Sequence, residues 1–120
     1  MFVYGTLLIE AVWMNLIGRI PQRSTAILEH YHRYQVLHEW YPGMWHEQNA
    51  QVLGAWIMDL NQAEIECVDH YEGHEYEKHW VDIKVGTQIH RTQTYARPPV
   101  NLEEWQQVYH MPDPSDPLPW

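Results

Sequence analysis

Apolar positions along this chain change period several times, and each change marks an element. Phe2-Val3-Tyr4 is an apolar run that stops at Gly5, as a strand does where it breaks into a turn and a helix. Ile9, Val12, Trp13, Leu16 and Ile17 then recur at helical spacing, while Glu10 and Asn15 fall off that face. Gly18 stands where a helix-ending glycine belongs and Pro21 blocks continuation, so the spacing predicts a helix over about 9–17. From Thr25 to Val36, β-branched and aromatic residues interrupted at Glu29-His30 predict two strands or one bent strand. Trp40-Tyr41-Pro42-Gly43 predicts a turn, since Pro fixes φ and Gly permits reversal.

Val52 to Leu60 reads as a strand in which Gly54 permits a bulge or a close backbone approach. Asn61-Gln62-Ala63-Glu64 has the form of a capping box. Leu60, Ala63, Cys67, Val68 and Tyr71 follow as one apolar stripe, which places Glu72 at or just past a helix end. Val81, Ile83 and Val85 alternate with Trp80, Asp82 and Lys84, a half-buried strand that Gly86 turns toward a partner ending near Tyr95-Ala96. Asn101 with Glu104 caps a last helix carrying Leu102, Trp105 and Val108. The segment 111–120 holds four of the eight prolines and is expected to be an extended or disordered tail to a single domain over 1–110.

Composition narrows the function classes. A chain of 120 residues suits one domain with one core. No apolar run approaches the roughly 18 residues of a membrane span, and Phe2 to Leu8 lacks the basic flank of a secretory signal. Membrane association is therefore not expected. The lone Cys67 excludes an intrachain disulfide framework and fits a cytoplasmic protein. A formal charge of −9 with seven Lys and Arg argues against a nucleic-acid partner, whose phosphates need clustered cations. Seven Trp, eight Tyr and nine His are an unusual ring content, read as packing in a small core and its wet rim.

Two segments carry candidate chemistry. A strand that breaks at Gly5 into a helical turn leaves backbone N–H groups unpaired above the strand end. Glu72-Gly73 supplies a carboxylate at a helix end. Donors plus a movable proton are the minimum for attack on a carbonyl, although residue type alone also fits a solvated helix-end glutamate. Gly5 is expected either to adopt a positive φ or to admit a close approach. Cys67, His70 and His74 are the rival set, spaced for zinc on a continuous helix. Gly73 interrupts that helix and no further ligand pair completes the set, so no metal site is expected.

In this order, Phe2-Val3-Tyr4-Gly5-Thr6-Leu7 and Val68-Asp69-His70-Tyr71-Glu72-Gly73-His74-Glu75-Tyr76 resemble the two signature segments of the γ-glutamylcyclotransferase-like family. His30 to Tyr34, Tyr41 to Gly43 and Val52 to Trp56 match intermediate landmarks, and Glu103 to Trp105 resembles the plant avirulence-induced branch. The resemblance implies an α+β fold: a small, mostly antiparallel curved sheet or barrel with a few short helices. It also implies Glu72 as the catalytic acid/base, and Tyr4, Gly5, Thr6, Leu7, Leu8, Ile9 and Tyr76 as the substrate-binding set. Tyr41 to Gly43 and Tyr95 are further candidates for the pocket wall. The implied substrate is a small γ-glutamyl compound. Its α-amine attacks its own γ-carbonyl, releasing 5-oxoproline and an amine or amino acid without cofactor or metal.

Val68 stands where the family often has Leu, and Glu77-Lys78 stand where basic residues commonly follow the Tyr of the second segment. The leaving amine and the oligomeric state stay open, as does a catalytically silent binding or interaction module on the same fold. With a reference Glu pKa of about 4.3, Glu72 is expected to be ionised at neutral pH, with the rate climbing from acid toward mildly basic pH.

Overall fold

In the computed structural model, which describes residues 1–107, five strands close a barrel. They are β1 (Phe2–Val3), β2 (Arg23–Gln35), β3 (Pro42–Ile57), β4 (Glu77–Val85) and β5 (Gln88–Ala96), ordered β1-β3-β2-β4-β5 around the sheet. Neighbours run antiparallel except β1 and β5, which pair parallel through Phe2 and Thr94. A 3-10 turn (Thr6–Leu8) leads into α1 (Glu10–Ile17), α2 (Gln62–Glu72) joins β3 to β4, and a short α3 (Leu102–Gln106) follows β5. No helix among the described residues is long and apolar enough to cross a membrane.

The alternation of side chains along each strand divides the core in two. Phe2, Tyr4, Leu28, Met44, Val52, Val81 and Ile83 form one buried cluster. Val3, Ala55 and Ile57 point to the other side, where Leu7, Leu8, Trp13, Val68 and Tyr95 complete a second cluster under α1 and α2. Even the two-residue β1 thus serves both. Gly54 makes its closure possible by close approach: a Cβ there would lie 2.3 Å from the Val3 carbonyl oxygen.

Several elements differ in detail from the sequence expectation. The run expected over Thr25 to Val36 is one bent strand, β2, which ends at Gln35, with a register shift between Glu29 and Tyr31 and His30 at φ 67°. The reversal before β3 falls earlier than Trp40–Gly43. Val36 N–H donates to Tyr41 O, and Pro42 opens the strand, a position where no ladder donor is needed. The α2 stripe is misphased in the expectation. Val68 is fully buried and Ile65 half-buried, while Ala63, Cys67 and Tyr71 are exposed. Asn61 and Glu64 form the capping box, and Glu64 also takes Arg19 in a 2.7 Å pair. Glu104 is not chiefly a capping residue. Its backbone N–H bonds Asn101 as expected, yet its side chain is buried. Val108 and the 111–120 tail lie outside the described residues.

Candidate functional site

Glu72 is the last residue of α2, and Gly73 caps the helix at φ 77° while donating its N–H to Asp69 O. That sharp exit turns the Glu72 side chain, half-buried, into a cavity of about 490 Å³. Across the cavity, the 3-10 turn makes its first internal bonds from Leu8 N–H to Gly5 O and Ile9 N–H to Thr6 O. The N–H groups of Gly5, Thr6 and Leu7 precede those bonds and so have no partner within the turn. Other groups lock the turn from behind. Trp13 Nε1 donates to Leu7 O and Arg23 to Leu8 O, each at 2.6 Å. The Leu7 and Leu8 carbonyls are thus tied to α1 and β2, while the N-terminal donors stay on the cavity side.

Of the residues predicted as the site, Tyr4, Gly5, Thr6, Leu7, Glu72 and Tyr76 line this one cavity. Leu8 and Ile9 do not. Leu8 is fully buried in the second cluster, and Ile9 is the N-cap of α1. Tyr41, Pro42 and Tyr95 also line the cavity, whereas Gly43 packs against the Tyr34 ring. Gly5 has φ −134°, so its role is close approach: a Cβ would meet Pro42 Cγ at 2.9 Å. Trp40, Tyr71, His74 and Glu75 also line the cavity, although none of them was read from the sequence as part of its wall. Tyr71, His74 and Glu75 lie within the second signature segment, but the reach of a side chain into a cavity leaves no spacing signature.

The electrostatics separate the acid from its neighbours. Burial pushes the Glu72 carboxyl up to about 7, and the negative end of α2 acts in the same direction. Among the described residues no hydrogen-bond donor reaches it. Burial therefore favours the protonated form of Glu72, against the expectation of an ordinary carboxylate that is fully ionised at neutral pH. The phenols around it stay protonated. Burial lifts Tyr4, Tyr76 and Tyr95 well above the ordinary range, and the Glu72 charge adds to each. All three are committed as donors: Tyr4 to Tyr95 O at 2.6 Å, Tyr76 to Pro42 O at 2.9 Å, and Tyr95 to Asp69.

The aromatic wall is held by a second polar centre. Arg97 and Glu104, 7% and 1% exposed, pair at 2.6 Å. Glu104 further accepts from Leu37 N–H and Val100 N–H, and Tyr34 OH donates to Arg97 O. The Leu37 bond fixes the start of the segment that carries Trp40, Tyr41 and Pro42 to the cavity. Among the described residues no three His, Cys, Asp or Glu side chains gather where one metal ion could bind them, so Cys67, His70 and His74 do not form a site.

A cavity that joins free backbone donors to a proton-exchanging carboxyl is suited to acyl chemistry, and comparisons with known proteins agree in direction. The family model described as "Gamma-glutamyl cyclotransferase, AIG2-like" matches residues 1–115. AIG2-like protein B of Arabidopsis thaliana is 30% identical over 121 aligned positions, which span 90% of this chain and 69% of that protein. AIG2-like protein D of the same plant is 28% identical over 90% of this chain and 79% of its own. Among solved structures, one from Arabidopsis thaliana superposes with a TM-score of 0.80 at 24% identity, covering 89% of this chain and 74% of that one. A structure titled gamma-glutamyl cyclotransferase matches the fold at TM-score 0.65 and 15% identity, over 82% and 65% of the two chains.

Proposed function

The chain belongs to the γ-glutamyl cyclotransferase, AIG2-like family, and on that premise we propose that it is a cyclising acyl-transfer enzyme (a lyase in outcome) acting on a γ-glutamyl amine or γ-glutamyl amino acid. The observation that carries this reading is the half-buried carboxyl of Glu72, without a hydrogen-bond donor among the described residues, in the same cavity as Gly5, Thr6 and Leu7; burial pushes that carboxyl up to about 7.

In the proposed reaction Glu72 takes a proton from the substrate's α-ammonium. The freed nitrogen attacks the γ-carbonyl carbon, and the developing oxyanion is met by N–H donors of the Gly5–Leu7 turn. The bond from the γ-carbon to the leaving nitrogen then breaks, and Glu72 returns the proton to that nitrogen. The attacking nitrogen sheds its second proton as the lactam forms, and that proton ends on the released amine, so the products are 5-oxoproline and the ammonium form of the amine. A carboxyl near 7 suits both transfers, because a proton-transfer group works best when its pKa lies near the operating pH. The surrounding phenols, being protonated, position without competing for the proton. Folding the glutamyl chain so that nitrogen meets carbonyl supplies the proximity term.

The acid limb of kcat/KM reports the free enzyme's essential base. It should therefore rise with a midpoint near 7 rather than near the ordinary Glu value. A screen of γ-glutamyl amines and γ-glutamyl amino acids for 5-oxoproline release, with Glu72→Gln as control, tests the reading. Release by the native protein and its loss in the variant are expected. Binding of glutamate or 5-oxoproline with no release from any member of the panel would instead make the protein a binding module. Exhaustive chelation is expected to leave turnover unchanged, and zinc-dependent turnover would overturn the proposed use of residues.

A further inference from the structure

We propose that Tyr95 and Asp69 form a positioning pair that holds Glu72 in register with the N–H donors of the Gly5–Leu7 turn; this rests on the cyclotransferase reading above. Tyr95 is bonded at both ends. Its carbonyl accepts from Tyr4 OH at 2.6 Å, immediately before Gly5, and its hydroxyl donates to Asp69 Oδ1. Asp69 lies three residues before Glu72 on α2, and its own carbonyl accepts the Gly73 N–H that closes the helix. One polar chain therefore runs from the donor turn, through β5, to the end of α2. Along it, the two reacting halves of the cavity are held at a fixed separation.

Lys78 on β4 supports the same joint. Its ammonium is 3.1 Å from Asp69 Oδ1 and 5.9 Å from the centre of the Tyr95 ring. Nothing in the proposed reaction uses Asp69, Tyr95 OH or Lys78 directly. They act through Glu72, and a fault of about 1 Å in its placement can cost roughly a hundredfold in rate. The groups facing Glu72 are Tyr4 directly after β1, Tyr95 of β5 and Tyr76 after α2, with His74 and Glu75 on the cavity wall and Asp69 on its own helix. The phenols are uncharged, so hydration of the Glu72 carboxyl governs its proton affinity. A helix end that loosens admits water and lets that affinity fall.

Tyr95→Phe keeps the ring and the carbonyl bond to Tyr4 and removes only the hydroxyl. Expected are a kcat lower by roughly ten- to a hundredfold, a nearly unchanged KM, and an acid limb displaced toward lower pH. Asp69→Asn retains an oxygen acceptor for Tyr95 OH and should keep most of kcat. Asp69→Ala should match Tyr95→Phe, and the double variant should be no worse than either single change. A ¹³C-carboxyl NMR titration of Glu72, assigned with Glu72→Gln, reads the pair without turnover: its midpoint should drop in Tyr95→Phe. If the native protein turns over no γ-glutamyl compound, the functional reading fails while this titration still decides the pairing. An unmoved titration, or losses that add in the double variant, overturns it.

Discussion

Glu104 is 1% exposed and bonded on every side: Arg97 at 2.6 Å, Leu37 N–H at 2.8 Å and Val100 N–H at 2.9 Å. Burial opposes its charge, yet those donors hold its carboxyl below the usual range. Glu72 is less buried but has no donor among the described residues, and burial raises it to about 7. One barrel thus carries two desolvated glutamates of opposite character. A carboxylate supplied with donors becomes a fixed anion that ties segments together. One deprived of them becomes a group whose proton can move. The two are linked, because Glu104 anchors the Leu37 end of the segment that supplies Trp40, Tyr41 and Pro42 to the cavity of Glu72.

The sharpest way to break that comparison is to remove the mobile proton alone. Glu72→Gln keeps the shape of the side chain, and proton transfer by such a group is typically worth about 10²–10⁴ in rate. Turnover of the best γ-glutamyl substrate should fall by that factor, while 5-oxoproline or glutamate still binds. Steady-state kinetics with isothermal titration of the same protein checks both. Near-native turnover in the variant removes Glu72 from the reaction.

Removing the fixed anion should instead cost stability. Glu104→Ala leaves the buried Arg97 guanidinium with only Tyr34 OH and the exposed Glu75 carboxylate, 3.5 Å from Nε, and breaking a buried pair costs about 3–5 kcal/mol. Urea unfolding should show that loss. Any effect on turnover in the surviving folded fraction should appear mainly as weaker substrate binding, through the Trp40–Pro42 wall. A loss below about 1 kcal/mol, the scale of an exposed pair, would mean that Glu104 and Arg97 are not the buried joint described here.

The difference between these two glutamates could be read only in part from the sequence. Local periodicity located the β4 and β5 hairpin, α1 and the Asn61–Glu64 cap, because each depends on neighbours within a few residues. The family resemblance singled out Glu72 and the Tyr4–Leu7 segment, which the fold brings to one cavity. Glu104 was read as a helix cap, since its N–H does bond Asn101. Its partners Leu37 and Arg97 lie 67 and 7 residues away, and no spacing rule connects them. The stripe on α2 was misphased because tertiary packing chooses the inward face: Val68 joins Leu8 and Trp13 in a buried cluster, and Cys67 is left exposed. Long-range polar pairing, invisible to periodicity, decides which carboxyl is satisfied and which is not.

The same comparison predicts that Glu72 weakens the fold it serves. Its carboxyl is raised from 4.5 to about 7, so the folded state favours the protonated form. The associated stability is fully present below about pH 4.5 and is lost as pH rises through 7. At about 1.4 kcal/mol per unit, the loss amounts to about 3 kcal/mol once the group is ionised. Glu72→Gln carries no such cost. It should be more stable than the native chain by up to about 3 kcal/mol at pH 8–9, with the difference shrinking toward zero near pH 4. Parallel urea titrations at the two pH values check this, since all other groups are common to both chains. Equal stability at pH 8–9 would mean that the carboxyl is solvated and not raised.

The smallest expected effect tests whether the wall fixed by Glu104 truly confines the cavity of Glu72. A Cβ on Gly5 would lie 2.9 Å from Pro42 Cγ and 3.1 Å from Cδ. Were Pro42 free to retreat by a few tenths of an ångström, Gly5→Ala would be silent. Pro42 is not free: Tyr76 OH donates to its carbonyl, and the preceding segment is bound at Leu37 by Glu104. The added methyl should therefore be felt as overpacking, at about 1 kcal/mol, the low end of its usual range. Because the strain falls between the donor turn and the aromatic wall, it should appear as roughly fivefold weaker binding of glutamate or 5-oxoproline, that free energy converted to affinity. Gly5→Val, with two more carbons at the same contact, should weaken binding further or prevent folding. If Gly5→Ala binds as tightly as the native chain but becomes weaker when combined with Glu104→Gln, the wall yields in a different way from that described. If both bind normally, the cavity between Gly5 and Pro42 is not where the glutamyl group is held.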